Sequence, residues 1–171
     1  NYGIKIPAFA IGIVSIAIGN VMLPYFSKHA IDDIASTFKK LHDILKQLVI
    51  FSILITIILY VSSSFIISFF FERNAFTNSD TMIVSKIQQM YLLQIPSYIT
   101  GLIMVKFLTS INKNNFMVIT SVISLLLNIF LNYVLIEKLG VYGLALATSI
   151  VSVINSIILY LYIYKLKKKY V

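Results

Sequence analysis

The sequence predicts an all-α, multi-pass membrane bundle, and two features of its composition support that prediction. Hydrophobic residues make up 59% of the 171 residues, and Asp, Glu, Lys and Arg together only 12%, whereas soluble domains carry about 25% charged residues. The mean hydropathy is +0.93. Because a water-soluble globule of this size needs more charge to cover its surface, we expect lipid to surround the chain.

The third supporting feature is a series of apolar runs, each close to the ~20 residues that a helix needs to cross a bilayer. The five runs cover residues 6–26, 47–71, 83–108, 116–136 and 141–164. We treat residues 1–171 as a single transmembrane domain segment. Because the chain starts with Asn1 and enters an apolar run at once, we expect it to be a fragment of a longer polypeptide.

A polar stretch with helical periodicity follows the first span. Apolar residues recur there at intervals of three and four: Ile31, Ile34, Phe38, Leu41, Leu45 and Leu48. This pattern predicts an amphipathic helix. It either lies at the membrane surface or extends the second span and packs on other loops, and the pattern is compatible with both.

The sequence FFERNAFTNSD, residues 70–80, separates the second span from the third. Glu72 and Arg73 end the apolar run at the depth of the lipid headgroups, where charge is tolerated. Residues 77–80 offer side-chain oxygens that can cap the next helix. The second span also contains three serines, at 62–64, which we expect to bond their own backbone and to pack passively or face lipid.

The third span contains Pro96. Proline has no backbone N–H to donate within a helix, so we expect a kink near this position. Such a kink serves either packing or a moving gate.

The fourth and fifth spans each carry a polar stripe at helical spacing. The stripes are Ser121, Ser124, Asn128 and Asn132 on the fourth span, and Ala145, Thr148, Ser152 and Asn155 on the fifth. Since only a tight hairpin at residues 137–140 separates the spans, the stripes can face each other. The pattern favours interhelical hydrogen bonds. The alternative is a polar pocket, in which Asn128 and Asn132, one turn apart, offer oxygens to one hard cation.

Basic residues predict the orientation of the spans, because they are enriched on the cytoplasmic side of membrane proteins. One side of the predicted bundle carries ten of the 14, namely Lys28, Lys39, Lys40, Lys46, Lys106, Lys113, Lys165, Lys167, Lys168 and Lys169, and the other side carries Lys5, Arg73, Lys86 and Lys138. We therefore expect the C-terminal tail to be cytoplasmic and the FFERNAFTNSD loop to face outward.

The remaining patterns offer little chemistry. The chain has no cysteine and a net charge of +8, and it contains no Gly-rich phosphate loop, no paired catalytic carboxylates and no nucleic-acid-binding motif. The positive charge is explained by membrane topology rather than by nucleic acid. We expect the protein to be neither an enzyme nor a nucleic-acid-binding protein. We expect membrane lipids to surround it.

Three segments resemble motifs of the MurJ/MviN-type lipid II flippases, a family of the multidrug/oligosaccharidyl-lipid/polysaccharide (MOP) exporter superfamily. IAIGNVMLPYFS, residues 16–27, is similar to ALGTVLLPxLS, and FFERNAFTNSDT, residues 70–81, resembles LFERGAFTxxDT. The pair Asn128 and Asn132, followed by LGVYGLALATS at 139–149, is similar to NxxxNxxLxxxLGxxGLALATS. The motifs stand in the family's order and extend over nearly the whole chain.

The resemblance implies a segment of the second lobe of a two-lobed MOP transporter, whose first lobe belongs to the same polypeptide and is missing here. Such proteins alternate between inward-open and outward-open states in the bacterial cytoplasmic membrane. They carry a polyprenyl-diphosphate-linked saccharide through a central cavity, here the peptidoglycan precursor lipid II. Within the same superfamily, exporters of O-antigen or capsule repeat units are the alternative. A non-transporting scaffold or a decayed fragment is a further alternative.

The resemblance also implies roles for individual residues. The family's basic residue that is suggested to contact the substrate diphosphate falls near Lys5, where lysine keeps the charge but lacks the bidentate fork of arginine. The sodium site of some members aligns with Asn128, Asn132, the Leu144 backbone carbonyl and Thr148. In sodium-binding relatives the second of these positions is an aspartate, and a further aspartate comes from a preceding helix. Na⁺ is the only cofactor that the resemblance implies.

Overall fold

The computed structural model describes residues 2–73 and 76–170. After a short 3₁₀ turn, Tyr2–Ile4, the chain forms α1 (Lys5–Asp32), α2 (Ile34–Val61), α3 (Ser63–Phe71), α4 (Asn78–Leu92), α5 (Ile95–Ser110), α6 (Asn114–Leu139) and α7 (Val141–Tyr170). Within those two ranges no strand is present, and the all-α prediction is confirmed.

Within the described residues, five helical stretches are long and apolar enough to cross a membrane, as predicted. They are Tyr2–Asp32, Ile34–Val61, Asn78–Ser110, Asn114–Leu139 and Val141–Tyr170. Most of them extend beyond the apolar runs, because the backbone hydrogen bonds of a helix can continue through polar residues at either end of an apolar run. The bounds differ most for the second span.

The amphipathic stretch after the first span is the start of the second membrane helix. α2 begins at Ile34 rather than at residue 47. Phe38 and Leu41 are buried in the core, and the ring of Phe38 packs edge-on against Phe107 of α5, with centroids 5.0 Å apart. Of the two predicted alternatives, the helical extension is correct, but it packs on the core at α5 and not on other loops.

The predicted second span, residues 47–71, is not one helix, since the chain breaks at Ser62 between α2 and α3. The neighbouring serines do not pack passively. The hydroxyl of Ser63 is buried and donates to the backbone carbonyl of Ser85 on α4 at 3.0 Å, and that of Ser64 donates to the Ser85 hydroxyl at 3.3 Å. The prediction for this cluster is therefore wrong: two of its serines join α3 to α4.

The predicted third span, residues 83–108, is interrupted at Leu93 and Gln94, between α4 and α5. Pro96 lies in the first turn of α5, where its missing N–H would have no helical partner in any case. The predicted kink is confirmed, and it lies just before the proline because the ring obstructs the preceding turn.

The core of the bundle lies where α1, α2, α5 and α7 meet. Each of these helices contributes at least one large side chain that is fully buried: Phe26 of α1, Leu41 of α2, Phe107 of α5 and Leu159 of α7. α5 packs on α1, α2 and α7, whereas α6 packs mainly on α7. Many large apolar side chains on the outside remain exposed, as in Phe65 at 73%. Such a surface is suited to lipid or to further protein.

Candidate functional site

The two predicted polar stripes lie on α6 and α7, which form a hairpin. The interface between these two helices is the α6–α7 seam. A single residue, Gly140, connects the helices with φ +57°, a left-handed conformation that favours glycine. The predicted turn at residues 137–140 is thus shorter than expected, since α6 continues to Leu139. At the far end of the hairpin the rings of Phe116 and Tyr162 stack with centroids 3.6 Å apart.

The two helices approach most closely near the connection. Gly143 is buried in the first turn of α7, and a Cβ atom there would lie 2.6 Å from the backbone carbonyl carbon of Leu135 on α6. No side chain fits in that space without moving a helix. The glycine therefore sets the distance between the seam's two walls.

The four positions of the predicted cation site form two pairs, each within one helix. The side-chain amide of Asn132 donates to Oδ1 of Asn128 at 2.9 Å on α6. On α7 the hydroxyl of Thr148 donates to the backbone carbonyl of Leu144 at 3.1 Å. All four groups present oxygen atoms, and all four residues are partly buried.

One oxygen of this set lacks a partner. Oδ1 of Asn132 is buried and accepts no hydrogen bond within residues 2–73 and 76–170. A buried acceptor of this kind is costly unless a cation or a water contacts it. The set contains only neutral oxygens, and among the described residues no cluster of three His, Cys, Asp or Glu is present. These donors fit a weakly held hard cation such as Na⁺ and do not fit a transition metal.

The two polar stripes were predicted to form hydrogen bonds with each other, and this prediction is wrong, because the hydroxyls on α7 bond to α5. The hydroxyl of Ser152 on α7 accepts from Ser97 on α5 at 3.0 Å, and the hydroxyls of Ser156 and Thr100 lie 3.1 Å apart on the same pair of helices. Across the described chain, no side-chain hydrogen bond joins α6 to α7. α7 is held to the bundle through both α5 and α4, because its Ser149 hydroxyl also donates to the Met90 carbonyl on α4. α6 is attached mainly through α7.

Lys5 is the first residue of α1, and its side chain is exposed. The preceding turn anchors this helix start: Tyr2 packs against the rings of Phe71 and Phe76 with centroids 5.0 and 5.6 Å apart. Lys5 thus lies at the same end of the bundle as the FFERNAFTNSD loop. The structure does not bring it to the α6–α7 seam, because α1 packs chiefly on α5.

The FFERNAFTNSD loop caps α4 as predicted. Thr77 and Asp80 form a reciprocal capping box, which satisfies backbone donors at the helix start. Asn74 and Ala75 of this loop lie outside the described residues. Hydrogen bonds from the hydroxyls of Ser68 and Thr81 hold the pKa of Glu72 below its usual range, because they stabilise the carboxylate. Glu72 therefore links the end of α3 to the start of α4.

The chain matches the family described as Lipid II flippase MurJ over residues 1–170. The Lipid II flippase MurJ of Thermosipho africanus (strain TCF52B) is 34% identical over 150 residues, which are 88% of this chain and 30% of that protein. The Probable lipid II flippase MurJ of Buchnera aphidicola subsp. Schizaphis graminum (strain Sg) is 28% identical over 165 residues, 96% of this chain and 32% of that protein.

A solved structure of a lipid II flippase MurJ in an inward closed conformation superposes with a TM-score of 0.82 at 30% sequence identity. The match covers 95% of this chain and 35% of that one. A similarity of this extent includes all the helices and their order.

Long apolar helices, interrupted at two places and joined by polar contacts inside the bundle, define the chain as part of a multi-pass membrane protein. The match over nearly the whole length goes further: this chain belongs to the lipid II flippase MurJ family. It spans about a third of the length of the curated relatives that it matches.

Proposed function

We propose that this chain forms part of a flippase that moves lipid II, a polyprenyl-diphosphate-linked saccharide, across the bacterial cytoplasmic membrane. Its mechanism is alternating access, in which two lobes rock around a cavity near the bilayer midplane. The chain contributes most of the second lobe, and the first lobe, from the same polypeptide, completes the cavity.

One observation carries this proposal: the match to a flippase structure includes all five spans, with 30% identity over 95% of the chain. The names of the sequence relatives point to the same substrate. The exposed start of α1 supports the proposed role of Lys5, since an ammonium group there is free to meet a diphosphate that enters from the central cavity.

Lys5 then binds the substrate diphosphate as a point charge, and it supplies attraction without the two-pronged geometry of arginine. At the α6–α7 seam, Na⁺ would be held by the side-chain oxygens of Asn128, Asn132 and Thr148 and by the Leu144 carbonyl. The ion would supply a positive charge that holds the two helices together. Both assignments rest on the family resemblance, and the unpartnered oxygen of Asn132 supports the second.

The test of this function replaces Lys5 by alanine in the complete protein. Loss of one charge-assisted hydrogen bond to the diphosphate is expected to reduce flipping roughly 10- to 100-fold. The rate of appearance of lipid II at the outer surface measures this effect in cells that depend on the variant. Lys5→Arg should retain activity.

Lys138→Ala is the matched control, because it removes an exposed charge at the same end of the bundle and should leave flipping unchanged. Normal flipping by Lys5→Ala, at equal expression, would exclude Lys5 from the substrate site. Failure of the parent protein to replace a lipid II flippase, together with rescue of O-antigen or capsule export, would overturn the proposed substrate.

A further inference from the structure

A groove runs between α2 and α7 on a side of the bundle that none of the proposed roles uses. Its larger part has a volume of about 570 Å³ and is lined by Val49 and Ile50 of α2, Thr100 of α5, and Ile157 of α7. A smaller part of about 140 Å³ continues it toward the end of α7. Both parts share His42, Leu45 and Tyr160 as walls, so they form one continuous groove.

The two ends of the groove differ in chemistry. Around Val49, Ile50 and Ile157 the lining is apolar, and the hydroxyls of Thr100 and Ser156 beside them lie 3.1 Å apart, within hydrogen-bonding distance of each other. Two lysines give the groove positive charge: Lys46 lines the larger part, one turn before Ile50, and Lys167 lines the smaller part. Both side chains are exposed. Asp43 is not among the residues that line either part. The groove therefore suits a molecule with an anionic head and an apolar tail.

The length of the groove corresponds to one leaflet. Ile157 and Lys167 are ten residues apart on α7, a distance of ~15 Å along a helix. The hydrocarbon core of a bilayer is ~30 Å thick. The predicted orientation places the charged end in the cytoplasmic leaflet, whose surface is rich in anionic lipids and where basic pockets between membrane helices bind their headgroups.

We propose that this groove is a binding site for an anionic glycerophospholipid of the cytoplasmic leaflet. The phosphate lies between Lys46 and Lys167, and one acyl chain lies against Val49 and Ile157. A polyprenyl carrier is the poorer fit, because its chain is longer than a single leaflet is deep. The site does not depend on which saccharide the protein transports.

Native mass spectrometry of the complete protein tests this proposal, with added phosphatidylglycerol or phosphatidylcholine of identical acyl chains. The parent should retain phosphatidylglycerol in preference. Lys46→Ala together with Lys167→Ala should weaken its binding roughly 30-fold, as expected for two lysines near a membrane surface, while Lys46→Arg with Lys167→Arg should retain it. Ile157→Trp, which fills the apolar end without changing charge, should also weaken binding.

The control removes two exposed charges at the opposite end of the bundle, Arg73→Ala with Lys138→Ala, and should keep the preference. Equal binding of the two lipids by the parent would overturn the proposal. So would an unchanged preference in the Lys46 and Lys167 double variant. Labelling of the groove by a photoreactive polyprenyl diphosphate, with no competition from phosphatidylglycerol, would assign it to the carrier lipid instead.

Discussion

Gly143 shows how one residue determines the spacing of two helices. Its missing side chain allows the backbone of α7 to approach Leu135 on α6, so that even a methyl group would meet the carbonyl group of that residue. Close approach through small residues is a general means of helix association in membranes. Lipid tails are as apolar as the side chains, so burying apolar side chains between helices gains no hydrophobic free energy. The close approach of α6 and α7 beside Leu135 therefore depends on this glycine.

Gly143→Ala is expected to destabilise the folded protein. Overpacking of a tight interior typically costs about 1–3 kcal/mol, and here a helix must move because the neighbouring atoms are backbone. Thermal unfolding of the purified protein in detergent micelles measures the change.

Gly12→Ala on α1 is the matched control, since a Cβ atom there would meet nothing within 4 Å. Alanine in a helix interior is favoured over glycine by about 0.5–1 kcal/mol, so this variant should be as stable as the parent or slightly more stable. A melting temperature for Gly143→Ala equal to that of Gly12→Ala would contradict the proposed role of the glycine.

At this scale the sequence predicted the spacing of the polar residues better than their hydrogen-bond partners. Asn128 and Asn132 were identified from their spacing, and the structure places them one turn apart. An amide has both donor and acceptor atoms, so the spacing could not tell that one asparagine would donate to the other. The motif around Gly143 was visible, but its contact with Leu135 depends on the geometry of the hairpin.

The interrupted helices are the main feature at the scale of elements. α2 and α3 break at Ser62, and α4 and α5 break at Leu93 and Gln94. The side-chain amide of Gln89 donates to the carbonyl of Tyr60 at 3.2 Å, close to the first break, and so satisfies a backbone group there. Proline made the second break predictable. The first was not, because serine is tolerated within membrane helices and carries no breaking signal of its own.

Gln88, on the same helix, is fully buried, and both polar atoms of its side chain lack a partner within the described ranges. In the sequence it is one of several polar residues of the third span, and nothing there distinguishes it from the others. Its burial depends on how α4 packs, which periodicity alone does not determine.

A sodium ion at the α6–α7 seam would bind oxygen atoms of both α6 and α7. The stability of the folded protein should then depend on the Na⁺ concentration. At a concentration ten times its dissociation constant, an ion that binds only the folded state stabilises it by about 1.4 kcal/mol. We expect the melting temperature to rise with NaCl but not with equal concentrations of KCl or choline chloride.

Asn128→Ala should abolish that response, whereas Asn132→Asp should enlarge it by restoring a negative charge to the site. Ser121→Ala is the control on the same helix, because the Ser121 hydroxyl donates only to the Met117 carbonyl. If neither the parent nor Asn132→Asp responds to Na⁺, the asparagine pair serves packing alone.

At the scale of the whole molecule, the number of spans and the all-α fold followed from hydropathy and length, which depend on the thickness of the bilayer rather than on details of packing. The partners of each helix did not follow. The stripe on α7 was expected to face α6, but Ser152 faces Ser97 on α5. A helix has several faces, and a stripe does not specify its neighbour.

The orientation of the bundle remains a prediction and can be measured directly, since the chain contains no cysteine. Single cysteines placed in a cysteine-free complete protein, as Ser79→Cys or Asn114→Cys, lie at exposed positions at opposite ends. A membrane-impermeant maleimide should label residue 79 in intact cells and residue 114 only after permeabilisation. The reverse pattern would invert the orientation, and with it the leaflet assigned to the α2–α7 groove.

The one-residue connection at Gly140 also restricts how the protein can change shape. With one connecting residue, two steps of ~3.8 Å join the Cα atoms of Leu139 and Val141, so these atoms can never lie more than ~7.6 Å apart. Little of the ~5.4 Å slide that moves a helix by a full turn is available to them. α6 and α7 therefore cannot ratchet past each other. In the proposed transport cycle we expect the two helices to tilt together, with the contacts of α7 with α5 and α4 as the pivot.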